Sequence, residues 1–108
     1  MVVTADSPPT VEEIVSAIDE SAALNAPCRL WDLRVGVTLE ADEIRQIATH
    51  ARAVSGPGRL AMLTSDDISF GTLRILEVYR KAPSLETRVF RDEAEAYAWL
   101  RELADFAD

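Results

Sequence analysis

Short apolar runs alternate with amphipathic stretches along the whole chain, and this alternation limits the possible folds more than any single motif. Residues 29–33 (RLWDL) and 59–64 (RLAMLT) are apolar runs of strand length. Strands buried on both faces of a parallel sheet read this way. Residues 86–90 (ETRVF) alternate polar and apolar, as a half-exposed edge strand does. Residues 2–4 are short and β-branched and are a fourth candidate strand.

The stretches between these runs carry helical periodicity and start signals. Thr10 and Glu13 form a capping-box pair ahead of Val11, Ile14, Val15, Ile18 and Ala22, which recur at helical spacing. Pro27 predicts an end near Leu24 and Asn25. A second helix is predicted over 39–54, with Thr38 as N-cap and Ile44, Ile47, Ala48 and Ala51 as its buried stripe. Glu40, Asp42 and Glu43 lie where the helix dipole favours acids. A third helix is expected from Ile68 or Ser69 to Ala82. A fourth is capped by Asp92, with Glu95 at the capping-box position and Ala96, Leu100, Leu103 and Ala104 inside. Residues 105–108 are expected to fray.

The order (β)αβαβαβα predicts one α/β domain over residues 1–108, with residues 1–9 extended or partly disordered. Its sheet should be small and mainly parallel, of three to four strands, flanked by four helices with right-handed crossovers. A chain of 108 residues buries only roughly two-thirds of its unfolded surface, so a shared oligomer core would add stability.

Charge and composition exclude several functions. The net charge is −8, and Lys81 is the only lysine. Nucleic acid and anionic membranes require a basic footprint, which this chain does not offer. No window is long and apolar enough to span a bilayer, and no secretion signal opens the chain, so a cytoplasmic location is expected. Sixteen alanines and the excess of Arg over Lys point to a GC-rich bacterial genome. Cys28 is the only cysteine, which excludes an internal disulfide and reads as a buried thiol. His50 is the only histidine and falls on a helix flank, where it reads as solvated. Cys and His are too few for a metal centre. No glycine-rich phosphate loop follows a strand, and no cofactor is expected.

Ligands of parallel sheets bind beyond the carboxyl ends of the strands. Asp32, Arg34, Ser65 and Arg91 fall there, and an enzyme would have to build its site from them. Each Asp at these ends also serves as a turn former or helix cap, and no nucleophile elbow is present, so catalysis is not expected. The third helix has two apolar sides. Phe70, Leu73 and Leu76 form one; Ile75, Val78, Tyr79 and Ala82 form the other. A helix on a sheet needs only one. The second side, with Phe70 and Tyr79, is expected to contact a neighbouring helix, a second subunit or a small apolar ligand.

Several stretches together resemble the bacterial STAS-like family related to anti-sigma-factor antagonists and grouped with CRAL-TRIO-like domains. They are Leu30-Trp31-Asp32-Leu33-Arg34, Leu60-Ala61-Met62-Leu63 with Ser69-Phe70-Gly71, and the closing VFRDEAEAYAWL. The resemblance spans about Thr10 to Leu103. It implies a non-catalytic interaction or regulatory module, here expected to form a homodimer or higher homo-oligomer and to meet an unidentified protein partner. The CRAL-TRIO grouping implies, as the alternative, binding of a small apolar or amphipathic ligand. The family's phosphorylated serine lies in an Asp-Ser-x-Gly-like turn after the strand matching residues 29–33. This chain has Arg34-Val35-Gly36-Val37-Thr38 there, so Thr38 is the nearest phospho-acceptor and the Asp-Ser pair is absent. The family also opens on a strand hairpin, for which only residues 2–4 remain.

Overall fold

A computed structural model describes residues 1–54, 56–79 and 85–107, with side chains through residue 103. Four strands, β1 (Val2–Thr4), β2 (Cys28–Asp32), β3 (Gly58–Leu63) and β4 (Leu85–Phe90), form one sheet in the order β1-β2-β3-β4. All neighbouring pairs are parallel. Each predicted strand is present, and β2, β3 and β4 start one residue early.

The helices are α1 (Val11–Ala23), α2 (Ala41–Val54), α3 (Asp67–Tyr79) and α4 (Glu93–Ala107). Sequential strand order with crossovers of one hand places α1, α2 and α3 on one face. That face holds the larger core, in which Ile14, Ile18, Ile47, Leu73 and Leu76 pack on Trp31, Leu60, Met62 and Val89. Among the described residues the opposite face is covered by α4, through Ala96, Trp99 and Leu100 on Leu30, Ala61 and Leu63. The three-to-one division of helices leaves the back of the sheet thinly covered at its β1 side.

Local signals explain the boundaries. The Thr10 hydroxyl accepts the Glu13 N–H, and the Glu13 carboxylate accepts the Thr10 N–H, closing the predicted capping box. Leu24 caps α1, and Asn25 turns the chain at φ 51°. Thr38 is not the cap of α2. The Glu40 carbonyl accepts the Ile44 N–H, and the Glu43 side chain accepts the Glu40 N–H, so the helix starts at Ala41. The α2 stripe is buried as predicted. Asp66 caps α3 by accepting the Ser69 N–H at 2.7 Å. That helix starts earlier than expected, and the expected Ala82 lies outside the described residues. Asp92 accepts the N–H groups of Ala94 and Glu95. The backbone stays helical to Ala107, beyond the predicted fraying point.

Gly58 is the glycine the fold demands. Its φ is +138°, and an added Cβ would lie 2.2 Å from the Pro27 carbonyl oxygen. The same oxygen accepts the Arg59 N–H at 2.8 Å, so the loop ahead of β2 is pinned against the start of β3.

Candidate functional site

The carboxyl ends of the strands bring the predicted polar residues together in two groups. Asp32 ends β2, and Arg34 follows in the turn. The Arg34 guanidinium grips the Asp32 carboxylate with two bonds, at 2.6 and 2.9 Å. Such a planar, two-bond pair is the strongest geometry open to these side chains. It holds the Asp32 carboxyl below the usual carboxylate range, chiefly through the Arg34 side-chain bond. Glu93 lies 3.4 Å from the same guanidinium. The Ser65 hydroxyl donates to the Arg34 carbonyl at 2.9 Å, which ties this turn to the end of β3.

The second group surrounds the start of α3. Arg91 pairs with Asp67, and its guanidinium lies 4.5 Å from the centre of the Phe70 ring. Phe70 is therefore half-buried beneath a cation. Asp66 is likewise held below the ordinary range, first by the Ser69 backbone N–H.

These arrangements neutralise charge within the protein. Arg34 faces Asp32 and Glu93, and Arg91 faces Asp67, so a substrate anion would have to displace carboxylates. Ser65 donates to a carbonyl, a role that stabilises a turn. Among the described residues no group of three or more His, Cys, Asp or Glu could hold a metal ion. No helix among them is long and apolar enough to cross a membrane.

Tyr79 does not join either group. It ends α3, nine residues beyond Phe70, or about 13 Å along the axis. It shares an exposed stripe with Ile68, Ile75 and Val78 instead. Ile68 is 81% exposed and Val78 68%, in contrast to the buried Leu73 and Leu76 of the same helix. The two-sided reading of this helix thus resolves into one buried side and one open side. Thr38 is exposed, in a trough with Pro9, Leu39, Glu43 and Gln46. Its neighbours place acidic charge where a phosphate would sit.

Several residues play parts that their sequence positions concealed. Ser69 is buried, and its hydroxyl accepts the Val37 N–H at 2.8 Å. Arg29 is 1% exposed within β2. Its Nε donates to the Ala26 carbonyl at 2.8 Å, while one terminal nitrogen has no partner among the described residues, and burial lowers its pKa. Trp99 packs on Phe90 with the two rings tilted by 49°, and lies beneath Arg59 and Arg88. His50 is not simply solvated, because Asp19 of α1 lies 2.6 Å from its Nε2 and links the two helices. Cys28, expected as a buried thiol, is partly buried against the back-face core, and its Sγ donates to the Leu100 carbonyl at 3.5 Å.

Comparison with protein-family models and with curated proteins returns no match.

Proposed function

We propose that this chain is a non-enzymatic, STAS-like interaction module that self-associates through the open side of α3 in the cytoplasm. The observation that carries the reading is the stripe of Ile68, Ile75, Val78 and Tyr79 on a helix whose other side is already buried in the core. Exposed apolar groups scattered singly are ordinary, but a contiguous row along one helix marks a contact surface. Beside it, the Arg74–Glu77 pair and Arg52, which donates to the Tyr79 carbonyl, bring charges of both signs. Two copies can therefore approach there despite the acidic net charge.

The closing β4–α4 pattern and the single α/β domain favour the STAS-like kinship. Two features stand apart from the family pattern: β1 pairs with β2 in parallel, where the family opens on a hairpin, and no Asp-Ser pair follows β2. A phospho-switch at Thr38 is therefore not part of the proposal.

Binding of a small apolar ligand is the second reading. It draws on a cavity of about 140 Å³ between α1 and β1, lined by Val3, Ala5, Ile14, Ala17, Trp31 and Leu33. Ligand pockets usually hold roughly 300–1,000 Å³, so this volume ranks the reading second. A native mass spectrum of the purified protein separates the two. The interaction reading predicts a dimer without added mass, whereas a monomer carrying a lipid-sized adduct supports the ligand reading.

A further inference from the structure

Among the described residues the sheet ends on β1 at one edge and β4 at the other, and the two edges differ in kind. On β1, the Met1 carbonyl accepts the Leu30 N–H, and the Ala5 N–H donates to the Asp32 carbonyl. Alternate residues of a strand face opposite neighbours. Met1, Val3 and Ala5 therefore bond to β2, while Val2 and Thr4 turn their N–H and C=O groups outward. On β4, the Phe90 carbonyl accepts the Thr64 N–H, so Leu85, Thr87 and Val89 turn outward. The β4 edge is guarded by the exposed charges of Glu86 and Arg88, a common protection against strand addition. The described residues of β1 carry no such charge, and Val2 is 56% exposed.

The two faces beside β1 also differ. Above it, an open trough is lined by Val3, Ala17 and the carboxylates of Glu12, Glu13 and Glu20 on α1. Residues 1–28 contain five acidic side chains and no Lys, Arg or His. Below it, beside α4, an apolar trough of about 200 Å³ is lined by Val2, Leu30, Tyr97, Leu100 and Arg101. A strand added to β1 would send alternate side chains into these two surroundings.

We propose that the β1 edge receives an extended segment of a partner protein in which basic residues alternate with apolar ones. The basic side chains lie beneath the carboxylates of α1, and the apolar ones fill the trough against Val2 and Tyr97. A second copy does not fit, because antiparallel pairing of two β1 edges would bring the two acidic α1 helices together on one face. This surface rests on the interaction-module reading and names a partner chemistry for it, separate from the α3 contact.

The test is an NMR titration of ¹⁵N-labelled protein with a capped Val-Lys-Val-Lys-Val-Lys-Val peptide, and with its counterpart carrying Glu at each Lys. The basic peptide should shift the Val2 and Thr4 amides and slow their exchange, and the acidic peptide should leave them unmoved. Glu12→Lys with Glu20→Lys should weaken binding about tenfold, and added salt should weaken it too. The spectrum itself reports whether that variant is folded. The proposal fails if Val2 and Thr4 do not respond, if both peptides bind equally, or if Thr87 and Val89 respond instead. It fails also if Val2 and Thr4 are already protected in the free protein, which would mean that a second copy pairs there. A dimer whose β1 edge ignores the peptide overturns this surface alone. A monomer that binds the peptide there overturns the α3 contact alone.

Discussion

The hydroxyl of Ser69, buried in the first turn of α3, accepts the backbone N–H of Val37 at 2.8 Å. This bond joins the helix after β3 to the loop after β2. It satisfies a buried donor that the irregular 33–40 segment would otherwise leave orphaned. Ser69→Ala removes the acceptor and keeps the packing. We expect a loss of about 1–3 kcal/mol in urea unfolding, with the α/β spectrum retained.

Two glycines should answer alanine substitution with opposite signs. Gly58→Ala drives a Cβ onto the Pro27 carbonyl at a positive φ, and should cost at least about 2 kcal/mol. Gly71 is an exposed helical glycine with nothing within 4 Å of an added Cβ. Gly71→Ala should raise stability by roughly 0.5–1 kcal/mol. Parallel denaturation curves of the two variants check both signs.

The Asp32–Arg34 pair sets an acid limit. The folded carboxyl pKa of Asp32 is depressed by Arg34, so the unfolded chain binds a proton more readily. The contribution is complete above the unfolded value of about 3.9 and is lost as pH falls through the lower folded value. Urea midpoints measured from pH 6 down to about pH 2 should therefore fall less steeply in Asp32→Asn than in the native protein.

Buried Arg29 makes a different prediction. Desolvation of its guanidinium offsets much of what its single Ala26 bond contributes. Arg29→Met keeps the length and apolar stem of the side chain and should change stability by less than about 1.5 kcal/mol. Arg29→Ala, which empties the site, should cost at least about 2 kcal/mol. Similar losses in the two variants would mean that the charge itself holds the structure.

Much of this fold is legible in the amino-acid sequence because the signals are local. The Thr10–Glu13 capping box and the α2 stripe each depend on residues within a few positions of one another. The Asp92 cap is of the same kind. What stays hidden depends on partners distant along the chain. Gly58 looks like a loop glycine until Pro27 lies against it. Arg29 and Ser69 look exposed by residue type until neighbouring elements bury them. Trp99 gains its place on the back face only when β2 and β3 bring Leu30 and Ala61 side by side. The polar residues at the strand ends were found from topology, but their mutual neutralisation depends on side-chain reach. The outward apolar side of α3 was visible from helical angles alone, because the 3.6-residue period assigns each residue a direction.

That outward side is where the functional account can be tested most directly. Sedimentation equilibrium should compare the native protein with the Ile75→Glu, Val78→Glu double variant, at concentrations up to about 100 μM, a range suited to a small interface. The account predicts a reversible dimer for the native chain and a folded monomer for the variant. A native monomer throughout that range, or a dimer that the two glutamates leave intact, would contradict it.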